Sequence, residues 1–162
     1  MKNQKVLFLT QSAMIAAIYV VLTIVFRPFS FGEIQVRIAE ALTILPAFTP
    51  AAIPGLFVGC LIGNMLGGSI LPDIVFGSLA TLIGALFTYL LRKQNKFLAP
   101  LPPIVANTII IPLILRHAYG INLPLPLTML TVGIGEVISC GILGMILYTT
   151  LKKYQYRIFR TK

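Results

Sequence analysis

Six apolar stretches, each ended by proline, glycine or a cluster of charges, fill this chain from residue 6 to residue 151. That pattern constrains the fold more than any motif does. A run of about 20 apolar residues is long enough to cross the hydrocarbon layer as an α-helix, and lipid offers the backbone no hydrogen-bond partner outside the protein. The stretches fall at roughly 6–26, 35–48, 52–66, 70–91, 101–118 and 125–151. A composition of 57% hydrophobic and 10% charged residues, with a mean hydropathy of +0.94, lies far from that of a soluble domain. The sequence therefore predicts an all-α integral membrane protein, a six-transmembrane-helix bundle that forms a single membrane domain over residues 1–162. The second and third stretches are short, and Pro46, Pro50 and Pro54 crowd their connection. Those helices are expected to be tilted, kinked or shielded from lipid by neighbours.

The formal net charge of +9 is a topology signal before it is a nucleic-acid signal, because the cations sit at the ends of apolar segments. In a six-span arrangement Lys2 and Lys5, then Arg92, Lys93 and Lys96, then Lys152, Lys153, Arg157, Arg160 and Lys162 fall on one side. The positive-inside rule makes that side cytoplasmic, and with it both termini. The apolar run after Lys5 is too long for the core of a signal peptide and is not followed by a small-residue cleavage site, so it is expected to remain as the first helix. The basic and aromatic tail from Lys152 reads as a headgroup anchor.

The chain has four acids, Glu33, Glu40, Asp73 and Glu136, and this topology places all of them toward the outer side. A charge at mid-bilayer costs about 2.5–3.5 kcal/mol on insertion scales, so an intramembrane acid is expected to face the bundle interior and to have a partner or a function. Glu136, in Thr131-Val-Gly-Ile-Gly-Glu-Val, fits best; its alternatives are ligand contact, a structural ion pair with Arg37 or Arg116, or a carboxyl kept neutral by burial. Around the second stretch, Glu33, Arg37 and Glu40 share one stripe if the segment is helical. There Arg37 either lines a pocket or neutralises both glutamates, and the alternation Glu33, Gln35, Arg37 equally suits an extended lead-in. Asn64 and Asn107 raise the same question at depth, since an amide there must find a partner or a ligand.

Gly55, Gly59, Gly63 and Gly67 recur every fourth residue, a ridge that lets another helix approach closely. Ala13 and Ala17 make a second small face on the first helix, suited to a helix of this chain or of another subunit. The chain lacks the glycine-rich lysine loop of a Walker A site, so ATP-driven work would fall to a partner. Gly133-Ile-Gly135 lacks the rest of a dinucleotide fingerprint. Cys60, Cys140 and His117 have no metal-site spacing; the thiols read as buried filler and the histidine as interfacial.

Three ordered segments carry a resemblance: Gly32-Glu-Ile-Gln-Val-Arg-Ile-Ala-Glu-Ala-Leu-Thr, Pro54-Gly-Leu-Phe-Val-Gly-Cys-Leu-Ile-Gly-Asn and Asp73-Ile-Val-Phe-Gly-Ser-Leu-Ala-Thr-Leu. Following a first helix with Ala-xxx-Ala, they resemble the QueT family, the queuosine-precursor S components of energy-coupling factor (ECF) transporters. The resemblance covers nearly the whole chain. It implies a six-helix bundle in the bacterial plasma membrane that captures a 7-deazaguanine such as preQ1 from outside. It further implies docking on a transmembrane coupling protein and two ATPase subunits, which use the ATP, with no cofactor, metal or catalytic residue in this chain. Ala13 and Ala17 match the family's docking motif, and Gln35, Arg37, Glu40, Asn64 and Asp73 match polar motif positions, whereas Glu33 does not. A guanine-like edge presents N–H donors beside a carbonyl, which suits carboxylate readers and an amide or arginine donor; Asn107 and Glu136 join the expected substrate-binding set on that ground. Rival readings are an S component for another vitamin-like substrate, a small channel using the acids for cations, an intramembrane enzyme using them as acid and base, and a standalone secondary transporter.

Overall fold

The structure, a computed structural model, describes residues 2–30 and 36–158. No strand occurs among the described residues, and four apolar helical segments are long enough to cross a membrane: Gln4–Val25, Leu71–Leu91, Lys96–His117 and Leu125–Gln155. The chain is thus an all-α, multi-pass membrane protein. In order, α1 (Lys2–Val25) leads through the single turn α2 (Arg27–Ser30) to a 3-10 helix, Ile38–Ala47. Then follow α3 (Ala52–Gly67), α4 (Leu71–Leu91), a short turn at Lys96–Leu98 and α5 (Leu101–His117). The last rod is α6 (Leu125–Glu136), a π-helical stretch at Val137–Leu143 and α7 (Gly144–Ile158) in succession.

Polarity is inverted relative to a soluble bundle. Large side chains such as Leu66, Leu71, Phe76, Phe87, Leu90 and Leu130 are exposed, while Glu40, Asn64, Asp73, Asn107 and Glu136 are buried. An apolar outside is the surface that lipid demands, and a buried polar residue is then the informative one.

The glycine ridge of α3 is taken up by α1. A Cβ at Gly55 would lie 2.7 Å from the Ser12 carbonyl oxygen, one at Gly59 2.8 Å from Tyr19 Cβ, and one at Gly63 3.2 Å from Thr23 Oγ1. Ser12, Ala16, Tyr19 and Thr23 form the opposing stripe at helical spacing. Glycines let the two backbones meet, and dispersion between them replaces the hydrophobic effect as the adhesive. Ser12 Oγ also donates to the Ala51 carbonyl at 2.8 Å, fastening α1 to the start of α3. Ala13 and Ala17 point away from this contact and are exposed. A second close crossing joins α4 to α5, where a Cβ at Gly84 would lie 2.7 Å from Pro103 Cα.

The stretch expected as a helical span over 35–48 departs from expectation. Its first residue, Gln35, lies outside the described residues; Arg37 is extended (φ −86°, ψ 95°) and Ile38–Ala47 is a 3-10 helix, not an α-helix. Two local causes act together. Pro46 has no N–H to return to the Leu42 carbonyl, and Thr43 Oγ1 donates to the Glu40 carbonyl at 2.6 Å, competing with the α-helical ladder. At about 2.0 Å per residue the element is only about 20 Å long. It touches α1, α3, α4, α7 and the π stretch, and seven of its ten residues are buried, so the bundle packs around it. Asp73 occupies the first turn of α4.

Candidate functional site

Two polar clusters meet where these elements converge. The first surrounds Glu40. Tyr19 on α1 donates its hydroxyl to Glu40 Oε1, and Thr81 on α4 places Oγ1 3.5 Å from the same oxygen. The other carboxylate oxygen, Oε2, is buried with no hydrogen-bond partner among the described residues. Glu136, at the end of α6, accepts a 3.2 Å hydrogen bond at Oε2 from the Cys140 thiol one turn on. Asn107 on α5 lies beside both glutamates. One ligating atom each from Glu40, Glu136 and Cys140 lies within 4.8 Å of the others, and all three residues are buried. Metal-ligating atoms therefore do converge, though not from the cysteine and histidine pairs that spacing considers, and the set mixes hard carboxylates with a soft thiol and has no imidazole. Cys140 is no passive filler, since it also reaches the Glu40 carbonyl at 3.5 Å.

The second cluster is built at the turn between α3 and α4. Gly68, with φ +84°, ends α3 in the left-handed conformation, and the Ser69 N–H returns to the Asn64 carbonyl at 3.0 Å. The chain then re-enters a helix at Leu71 and presents Asp73 in its first turn. Arg37 Nη2 pairs with Asp73 Oδ2 at 3.6 Å, and the Tyr119 hydroxyl, from the loop after α5, lies 3.2 Å from that oxygen. Desolvation raises the Tyr119 phenol above its ordinary value and the Asp73 carboxylate adds to the rise, so the hydroxyl stays a donor. Asp73 Oδ1, like Glu40 Oε2, is buried without a partner among the described residues. Asn64 spans the turn, its Nδ2 3.5 Å from the Asp73 carbonyl. Gly77 leaves room here: a Cβ would lie 3.2 Å from both Asn64 Nδ2 and Asp73 Oδ1.

Of the residues singled out in the sequence, Glu40, Asn107 and Glu136 come together in the first cluster, and Arg37, Asn64 and Asp73 in the second. Gln35 and Glu33 lie outside the described residues. The pairing of Glu136 with Arg116 does not form, since Arg116 is exposed at the end of α5. Arg37 meets an acid of α4 rather than sitting on a helical stripe of its own. Tyr19, Thr81, Cys140, Tyr119 and Gly77 were not anticipated. For Tyr19 a signal exists: Ser12, Ala16, Tyr19 and Thr23 match the glycine ridge in period, which points the phenol inward.

The grooves on the molecule are a different kind of feature. One of about 510 Å³ lies between α4 and α5, lined by Ile83, Phe87, Leu101, Val105 and Ile109, and has the apolar character of lipid-facing surface. Two buried carboxylates that each hold one oxygen against protein donors and leave the other without a partner among the described residues are the stronger mark of a binding site, because such an atom is costly unless something else satisfies it.

Comparison with known proteins points to a family of transporters. A curated relative, the queuosine precursor transporter QueT of Lactococcus lactis subsp. cremoris (strain MG1363), is 34% identical over 85 residues, 51% of this chain and 50% of that protein. The match thus spans about half the length of that relative. No solved structure matches the chain. The sequence profile of the QueT transporter family matches residues 9–153, which include α3 to α6 and every described polar residue of both clusters, and the chain belongs to that family.

Proposed function

We propose that this chain is the substrate-binding S component of an ECF-type importer in the bacterial plasma membrane, and that it takes up a 7-deazaguanine queuosine precursor such as preQ1. Membership of a transporter family and the printed name of the Lactococcus relative support the substrate class. The observation that carries the reading is the pair of buried carboxylate oxygens without a partner among the described residues, Glu40 Oε2 and Asp73 Oδ1. A deazaguanine supplies what they lack. Its ring N–H and exocyclic amine suit Glu40 and Glu136, its carbonyl suits the Asn107 amide or Arg37, and a cationic aminomethyl group suits Asp73 beside Asn64. Gln35, two positions before Arg37 in the sequence, belongs to the same set by its motif.

In this reading the bundle has six spans with both termini cytoplasmic, supported by the basic residues at the chain ends and at Arg92–Lys96. Ligand enters from the outer side, and the acids bind rather than catalyse. The exposed Ala13 and Ala17 meet the transmembrane coupling protein, whose two ATPase partners supply the energy.

Equilibrium binding to the purified protein in detergent tests this, comparing preQ1, preQ0 and queuine with guanine, riboflavin and thiamine. Selective binding of a 7-deazaguanine is expected, and Glu136→Gln should weaken it roughly ten- to a hundredfold, the worth of about 1.5–3 kcal/mol for a hydrogen bond to a charged group. Folded protein that ignores all three deazaguanines, or a preference for riboflavin or thiamine, overturns the substrate assignment.

A further inference from the structure

We infer that Tyr19 is a positioning residue of the ligand site: its hydroxyl fixes the Glu40 carboxylate so that Oε1 is held by the protein and Oε2 is presented to the ligand. The inference rests on the reading of Glu40 as a substrate-binding residue.

Tyr19 is 1% exposed and its ring lies wholly inside the bundle, in a helix whose outward neighbours Met14, Ala17, Ile18 and Val21 are exposed. Its backbone stands at a tight point of the α1–α3 crossing, where a Cβ on Gly59 would lie 2.8 Å from Tyr19 Cβ. Thr23 Oγ1 donates to its carbonyl at 2.9 Å, one turn along. The phenol is therefore delivered from a fixed backbone, with two side-chain torsions to orient it. Its hydroxyl meets Oε1 of Glu40, the oxygen that Thr81 also approaches, while Oε2 of the same carboxylate has no partner among the described residues. Donors gathered on one oxygen orient a carboxylate. Glu40 is carried by a 3-10 helix with poorer hydrogen-bond geometry than an α-helix, so a side-chain tether adds order that its own backbone supplies less well. The groups facing Glu40 from the elements packed on it are Tyr19 from α1, Cys60 from α3, Thr81 from α4, Asn107 from α5, Glu136 from α6, Cys140 from the π stretch and Arg37 just before its own helix. Among these, Tyr19 and Thr81 both approach the same carboxylate oxygen, Oε1.

The consequence is mechanical. Since the phenol joins the Gly59 crossing to the carboxylate, a displacement of α1 and a reorientation of Glu40 are one motion, which makes α1 a working wall of the site.

The test uses the full chain in detergent with Tyr19→Phe, which keeps the ring at the crossing and removes the hydroxyl. Titration with preQ1 should show about tenfold weaker binding, and the double variant Tyr19→Phe/Glu40→Gln should bind no more weakly than Glu40→Gln alone. A Tyr19→Phe affinity equal to wild type, or losses that multiply in the double variant, overturns the inference. A ligand-free readout separates this from the transporter reading. Dicyclohexylcarbodiimide forms its adduct at a carboxyl oxygen, so with Oε1 released from the phenol Glu40 modification, read by mass spectrometry, should run at least threefold faster in Tyr19→Phe than in wild type. Equal rates overturn the positioning role even if wild type binds preQ1. A faster rate in protein that binds no deazaguanine upholds the tether and overturns the substrate assignment.

Discussion

Asp73 is the residue on which three separate parts of the chain converge. Arg37 arrives from the lead-in to the 3-10 helix, Tyr119 from the loop after α5, and Asn64 from the end of α3. Both members of the ion pair are nearly excluded from solvent, with side chains 8% and 4% exposed. Removing one partner of a buried pair strands the other and costs about 3–5 kcal/mol, whereas removing both costs less than the sum. Arg37→Gln and Asp73→Asn are each expected to lower the unfolding temperature clearly, and the double variant less than additively; a thermal-unfolding double-mutant cycle in detergent measures this. The sequence displays Arg37 and Asp73 as polar residues that need partners, but it does not display their partnership. They are 36 positions apart in elements of different type, and no periodicity links a residue before a 3-10 helix to one in the first turn of α4. Cys140 was illegible for a simpler reason: a thiol is as ordinary in an apolar core as a methyl group, and only the arrival of Glu136 and the Glu40 carbonyl makes it polar.

The elements divide into those that local rules fix and those that neighbours fix. Helices α3, α4 and α5 begin and end within a residue or so of the limits set by apolar length, proline and glycine, because those residues act on their own backbone. The 3-10 helix and the π stretch answer to packing as well. Their turns are tighter or wider than an α-turn, and the π stretch brings Cys140 beside Glu136 and Glu40, in keeping with the frequent placement of π-bulges at functional sites. The partner of the glycine ridge is also an element-scale fact, and it carries a prediction. At Gly59 the added methyl of Gly59→Ala meets Tyr19 Cβ at 2.8 Å and Ala16 Cα at 3.1 Å, neither of them a flexible end that can swing aside. The two helices must separate locally, and overpacking of this kind costs about 1–3 kcal/mol. Gly59→Ala is expected to unfold at lower temperature than wild type by differential scanning fluorimetry.

At the scale of the whole molecule the two faces of α1 have opposite duties. One is closed against α3 and the other, with Ala13 and Ala17, is open. Under the proposed function a bulky residue on the open face blocks approach of the coupling protein without touching the ligand site. Ala17→Leu is expected to leave the unfolding temperature and preQ1 affinity at wild-type values and to abolish co-purification with the coupling protein and ATPases. Co-purification at the wild-type level would move docking to another face.

The short 3-10 helix also bears on how such a bundle is made. Ten residues in that conformation cover about 20 Å, less than the roughly 30 Å of the hydrocarbon layer, and they carry Glu40 with them. Such a segment partitions poorly into lipid as a free-standing unit. The four long apolar helices can insert one by one, but Ile38–Ala47 gains a solvent for its carboxylate only when Tyr19, Thr81 and Asn107 have gathered around it. Under the proposed function, the segment that carries the ligand-reading acid is thus expected to be the last piece to find its place in the membrane.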